Sequence, residues 1–131
     1  AVVVALSPIT ETEIYKFEGQ NDSATVIIYR LRDFQGALYT VKINEKRVTN
    51  NFKMYQFVQL KVPAGEITLE TSGNIYAEKK RFVMQVTGGK THYLEAVVDY
   101  GYMSNALLLY ERDEAAALRV MPKLTEKGKR W

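Results

Sequence analysis

The chain contains no cysteine, only one histidine, and no run of about 18 apolar residues. Without cysteine it has no disulfide, no thiolate-ligated zinc site and no cysteine nucleophile. Without a long apolar run it has no predicted membrane-spanning helix. These absences exclude several common classes of enzyme and membrane protein, and they leave a domain that must be stabilised by its apolar core.

What the chain does have is a composition typical of β structure with modest charge. Its 131 residues fit one domain, and 47% of them are hydrophobic, enough to build a core without crosslinks. Nine tyrosines and five phenylalanines favour strands. The net charge is +3, and the only local excess of basic residues is at the C terminus. This distribution argues against nucleic acid as a partner, because nucleic-acid binding needs a basic face.

Composition divides the chain into three predicted segments. Residues 1–23 form an extended N-terminal arm, residues 24–122 the folded domain, and residues 123–131 a basic, solvated tail. Three apolar side chains of the arm are candidates to hold it against the domain or against a partner: Ile14, Tyr15 and Phe17.

Period-two alternation of apolar residues predicts most of the strands. The segments 55–62 and 67–71 both alternate and flank Pro63-Ala64-Gly65, so we expect them to form a hairpin. A second hairpin is expected for 81–87 and 91–100, which Gly-Gly and a few neighbours separate. The continuous apolar run 106–112 predicts a central strand covered on both faces.

The residues after the last predicted strand have helical character. Asp113 is placed to cap a helix, three alanines follow Glu114, and Pro122 ends it. About seven to eight short strands followed by one short helix predict a mainly antiparallel β-sandwich with a C-terminal helix.

The titratable residues do not form a catalytic arrangement in the sequence. His92 lies in the predicted strand 91–100, where Glu95 and Asp99 share the opposite face. Along the strand the two carboxylates are about 13 Å apart, too far for a glycosidase pair. We therefore predict no catalytic residues. The acidic loops are too sparse for calcium, and Thr-Gly-Gly-Lys-Thr lacks the spacing of a phosphate loop, so neither a metal nor another cofactor is expected.

The loop after the predicted strand 91–100 is the best candidate for a binding surface. It contains Tyr102 and Met103 and is preceded by Tyr100. Tyrosine and methionine are enriched at protein interfaces, and loops carry binding residues more often than strands do. Packing within the monomer is the alternative interpretation for these three residues and for the three of the arm.

The order of several segments resembles an uncharacterised family of bacterial exported proteins and lipoproteins with a PEGA-like β-sandwich. "ATVIIYR" (24–30) is similar to the family's opening strand, "VKINEKRV" (41–48) to its Asn-Gly-Lys turn, and "YQFVQLKVPAGEITLE" (55–70) to its Pro-x-Gly segment. The resemblance covers roughly residues 24–120. The chain departs from the pattern at Glu45, where glycine is usual, and it lacks a lipobox cysteine.

This resemblance implies an exported sandwich without an assigned activity. We therefore expect a non-enzymatic periplasmic or outer-membrane-associated protein that binds other proteins, as an accessory subunit of an envelope assembly of the secretion or motility type or as a homo-oligomer. A lipid anchor would have to come from the precursor. A small-ligand or glycan-binding module and, less favoured, a hydrolase are the alternatives.

Overall fold

The computed structural model describes residues 22–33, 37–73, 77–101 and 103–126. Within these ranges there are nine strands, one α-helix and one 3-10 helix. The strands are β1 Ser23–Arg30, β2 Tyr39–Ile43, β3 Lys46–Phe52, β4 Gln56–Pro63, β5 Gly65–Ser72, β6 Lys80–Val86, β7 Thr91–Tyr100, β8 Asn105–Arg112 and β9 Thr125–Glu126. The helices are α1 Glu114–Val120 and the 3-10 helix Met121–Lys123.

The strands form two sheets that pack face to face. The first sheet has the order β8-β7-β1-β4-β9, and the second has the order β3-β2-β5-β6. Two pairs, β1 with β7 and β4 with β9, are parallel, and the others are antiparallel. The predicted fold class, a mainly antiparallel β-sandwich with a short C-terminal helix, is confirmed.

The main core lies between the sheets because alternate residues of each strand face inward. In β4 these are Val58 and Val62, which are buried, and Leu60, which is partly buried. The largest buried apolar side chains of this layer come from several strands: Ile28, Tyr39, Phe52, Ile67, Leu69 and Leu107. Burying such residues is the main stabilising contribution to the fold.

A third layer covers the outer face of the first sheet. Ala117 of α1 is fully buried and packs in a cluster with Ile27, Tyr29 and Tyr93. The side chain of Asp113 accepts a 2.8 Å hydrogen bond from the Ala116 N–H, which confirms the predicted helix cap. The pKa values of Tyr29 and Tyr93 are raised, mainly because burial disfavours the charged phenolate.

Both predicted hairpins are wrong. β4 belongs to the first sheet and β5 to the second, so the chain changes sheets at Ala64. Likewise, the Gly-Gly turn connects β6 of the second sheet to β7 of the first. Alternation identifies which face of a strand is buried, but neighbouring strands in the chain have the same pattern whether they pair with each other or pack across the core. The hairpins of the described chain are β2–β3, β5–β6 and β7–β8.

The predicted central position of residues 106–112 is also wrong. Within the described ranges, β8 is the outer strand of the first sheet and pairs only with β7 along its length. Ala106 and Leu107 are buried, but Tyr110 is exposed. The continuous apolar run therefore reflects burial on both faces at one end of the strand and not over its whole length.

The β2–β3 hairpin has a two-residue turn in which both residues have positive φ. Asn44 has φ 50° and Glu45 has φ 70°, the conformation that two-residue hairpins favour. The backbone of Asn44 donates to the Thr68 carbonyl, and its side-chain oxygen accepts from the Thr68 N–H. These bonds to β5 hold the turn although neither of its two residues is glycine.

Candidate functional site

A fully buried arginine is the most unusual feature of the described chain. Arg30 is the last residue of β1 and shares its inward face with Val26 and Ile28, so its side chain points between the sheets. Its exposed fraction is 0%. A buried guanidinium is tolerated only when it is paired, since an isolated charge in the interior costs several kcal/mol or more.

The guanidinium of Arg30 contacts three different segments. Its Nε donates a 2.8 Å hydrogen bond to Asp33 Oδ2, and its Nη2 lies 2.7 Å from the same oxygen in an ion pair. Its Nη1 donates to the backbone carbonyl of Phe52. The charged carbon lies 5.2 Å from the centre of the Tyr39 ring, within the range of a cation–π contact. Nη2 makes no hydrogen bond, but its charge is compensated by the ion pair with Asp33.

The cluster continues along the same end of the sandwich to the β8 edge of the first sheet. The Tyr39 hydroxyl donates a 2.6 Å hydrogen bond to Asn105 Oδ1 at the start of β8. At the end of β7, the Tyr100 hydroxyl donates a long, 3.5 Å hydrogen bond to Asp33 Oδ1. The pKa of Tyr39 is raised, chiefly by burial and against the opposing effect of the Arg30 charge. The cluster thus joins the loops β1–β2 and β3–β4 to the turn between β7 and β8.

A second set of bonds joins the β5–β6 connection to the same turn. The Glu78 N–H donates to the Asn105 carbonyl, and the Ser104 hydroxyl donates a 2.7 Å bond to the Glu78 carboxylate. The hydrogen bond from Ser104 and the interactions with Lys80 lower the pKa of Glu78. Hydrogen bonds therefore link the described parts of the β1–β2, β3–β4, β5–β6 and β7–β8 connections at one end of the sandwich, and we call this surface the loop end.

The loop end exposes several large apolar side chains among its polar residues. Four large side chains lie there with 39–79% of their surface exposed: Leu38, Tyr55, Tyr100 and Met103. Each belongs to one of the loops or strand ends that the Arg30 cluster connects. Exposed apolar groups on loops of fixed geometry are typical of protein-binding surfaces.

The structure thus places two of the six predicted partner-binding residues on this surface. Met103 is 79% exposed and Tyr100 39%. Ile14, Tyr15, Phe17 and Tyr102 lie outside the described residues, and their role stays a prediction.

Sequence reasoning missed the buried cluster and half of the apolar surface. Arg30 falls on the inward face of the alternating strand β1, and this position in the sequence could have indicated that its side chain is buried. Tyr55 has φ 65°, a conformation in which tyrosine is uncommon. It occurs because the Tyr55 N–H bonds to the Arg30 carbonyl and its own carbonyl accepts from Thr125. No local pattern predicts such contacts.

The titratable residues weighed for catalysis have separate partners. His92 Nε2 accepts a 3.0 Å hydrogen bond from the Thr87 N–H, so Nδ1 carries the proton towards Glu111 Oε2 at 3.1 Å. Glu95 instead accepts a 2.8 Å bond from Arg112, and this contact raises the pKa of Arg112. Across the described residues no three His, Cys, Asp or Glu side chains are grouped to hold a metal ion.

No protein-family model matches the chain, and no curated protein matches it in sequence.

None of the helices in the described ranges has the length and hydropathy that crossing a membrane requires.

Proposed function

We propose that this chain is a non-enzymatic protein-binding domain that contributes its loop end to a larger assembly of the bacterial envelope. The proposal rests mainly on one observation: a single buried guanidinium connects loops of one end, and four large apolar side chains are exposed on these loops and the adjoining strand ends. The partner that fits this surface is a protein with a complementary apolar patch.

Preorganised loops support binding for a thermodynamic reason. A loop that is disordered before binding must be ordered at a cost, whereas a loop already held by hydrogen bonds loses little entropy. The bonds of Arg30, Tyr39 and Glu78 hold the loop backbones before any partner arrives. Met103 then supplies a flexible, adaptable contact at the surface.

A small-ligand or glycan site is the weaker candidate. Between the edge strands β6 and β8 there is an apolar cleft of about 190 Å³, lined by Phe82, Met84, Leu94 and Leu109 among others. Drug-sized ligands occupy cavities of roughly 300–1,000 Å³. The cleft is smaller than this, and it lacks the convergent polar groups that orient a ligand, so protein binding is favoured.

The envelope location rests on the family resemblance of residues 24–120 and has its own test. Fractionation of the native host is expected to recover the protein from the periplasm or outer membrane. Recovery in the cytosol would contradict the location without touching the binding proposal, because the latter concerns the loop end alone.

The binding proposal is tested by photo-crosslinking in the native host. A benzoylphenylalanine at position 103 is expected to crosslink to one discrete protein. The matched control is the same residue at position 118, because Leu118 is also exposed, at 51%, but lies on α1. Equal crosslinking from both positions, or none from 103, would contradict the proposal.

A further inference from the structure

Six of the eight residues of β4 pair with no described strand on the side away from β1. β9 pairs with β4 only at Gln56 and Phe57, and among the described residues no strand pairs with 58–63 on that side. An unpaired strand edge presents backbone N–H and C=O groups to an additional extended segment.

A groove lies beside this edge, between β4 and the edge strand β3. Its volume is about 220 Å³. Its lining combines an apolar floor with two lysines at the rim: Ile43, Val48, Leu60, Val62, Pro63, Lys46 and Lys61. Both lysines are exposed, and neither has a carboxylate partner within 4.0 Å in the described part of the chain. The groove therefore fits an extended segment that is apolar and acidic.

Residues 11–18, "ETEIYKFE", have this composition. Three glutamates and one lysine give them a net charge of −2 (−3 + 1). In an extended conformation Glu13, Tyr15 and Phe17 share one side, so two aromatic rings would face the apolar floor together.

The start of the described chain places this segment within reach. The Asp22 carbonyl accepts from the Ala64 N–H, so the chain enters β1 beside the end of β4. The five residues from Phe17 to Asp22 span at most about 17 Å. The path around the end of β4 to its open edge is about two strand spacings, or roughly 10 Å. Because a short tether gives an effective concentration in the millimolar range, the chain's own segment is favoured over that of a second copy.

The C-terminal tail is the competing occupant. In the parallel register of β9, residues 127–131 would continue along the same edge of β4. They carry Lys127, Lys129 and Arg130, however, and these charges would lie beside Lys46 and Lys61. Like charges at close range disfavour that arrangement.

We propose that residues 11–18 bind the β3–β4 groove of the same chain as an added strand along 58–63, with Tyr15 and Phe17 on its apolar floor and with a net charge opposite in sign to that of Lys46 and Lys61. This surface is distinct from the loop end, and the proposal does not depend on the proposed function.

Disulfide trapping tests the proposal, because the chain has no cysteine of its own. With Tyr15→Cys and Val48→Cys, we expect an intramolecular disulfide to form about tenfold faster than with Tyr15→Cys and Val83→Cys. Val83 is 61% exposed on β6, the opposite edge of the same sheet. Equal rates would overturn the proposal. A disulfide-linked dimer would assign the groove to a second copy of the chain. Faster disulfide formation between Trp131→Cys and Val48→Cys would assign the groove to the C-terminal tail. Either result would overturn the proposal.

Amide hydrogen exchange provides a second measurement in the cysteine-free chain. In the variant Lys46→Glu with Lys61→Glu, the amide hydrogens of residues 11–18 are expected to exchange at least about fivefold faster than in the wild type. Lys53→Glu with Lys90→Glu makes the same change in net charge at exposed positions outside the groove lining and is expected to leave the exchange unchanged. Equal acceleration in both variants, or none in either, would overturn the proposal.

Discussion

Arg30 combines a large desolvation cost with contacts to several loops, so its replacement is expected to lower the free energy of unfolding. Arg30→Met removes the hydrogen bonds that Arg30 donates to Asp33 Oδ2 and to the Phe52 carbonyl, and breaking a buried pair from one side typically costs about 3–5 kcal/mol. Chemical denaturation followed by circular dichroism measures the loss. Arg47→Met, at an exposed position of β3, is the control and should change stability by less than about 0.5 kcal/mol. Similar losses in both variants would contradict the role of Arg30.

Gly65 is required by its backbone conformation and not by crowding. Its φ is +112°, and no atom lies within 4 Å of the position a Cβ would take. We expect Gly65→Ala to lower the free energy of unfolding by about 1–2 kcal/mol, because L-residues are strained at such φ values. Ala64→Ser, one residue away and exposed, is the matched control. An unchanged melting temperature in Gly65→Ala would show that the corner between the sheets is not strained.

The buried tyrosines predict a loss of stability in alkaline solution. The pKa values of Tyr29, Tyr39 and Tyr93 are raised in the folded state above the unfolded value near 10, mainly by burial. Below that pH both states are protonated and the stability is fully present. As the pH rises from about 10 through the folded-state pKa values, the unfolded state ionises first and stability is lost. Tyr39→Phe should make the decline between pH 10 and 12 shallower than in the wild type; an equally steep decline would contradict the assignment.

At the scale of elements, α1 is coupled to the first sheet through one small residue. Ala117 is fully buried against Ile27, Tyr29 and Tyr93, so Ala117→Leu overpacks the layer and should cost about 1–3 kcal/mol. Ala115→Leu adds the same atoms at an exposed position of the same helix and is expected to be nearly neutral. Thermal unfolding compares the two variants. Equal stability would mean that the helix does not pack as described.

Sequence alone predicted the elements better than their arrangement. The inward faces of β4, β6 and β7, the Asp113 cap and the fold class follow from alternation and capping chemistry, which are local. Strand pairing is not local: β1 pairs with both β4 and β7, which come about 30 and 65 residues later. The buried Arg30 cluster depends on this pairing, because its members Phe52, Tyr39 and Asn105 meet only after both sheets have formed.

At the scale of the whole molecule, the two sheets differ in what covers them. The first sheet is covered on its outer face by α1 and the 3-10 helix, while among the described elements none packs on the outer face of the second. The loops of one end share a polar cluster, and the β3–β4 groove and the open β4 edge lie at the other. The molecule therefore offers two separate surfaces, one that we assign to a partner and one that we assign to its own arm.

The assignment of the loop end to a protein partner is the central claim, and quantitative co-purification tests it most directly. The change is Leu38→Asp with Met103→Asp, which introduces two charges on the exposed apolar surface without touching the Arg30 cluster. The control is Leu118→Asp with Val83→Asp, which adds the same charges at exposed positions on α1 and β6. Both variants are purified from the native host under gentle extraction and compared by mass photometry and melting temperature. We expect the control to retain the partner found with the wild type. The loop-end variant should lose at least about nine-tenths of that partner at an unchanged melting temperature, which corresponds to a change of roughly 1.4 kcal/mol or more in binding free energy. Full retention of the partner by the loop-end variant, or a wild-type protein that is only monomeric, would contradict the assignment of the loop end to a protein partner.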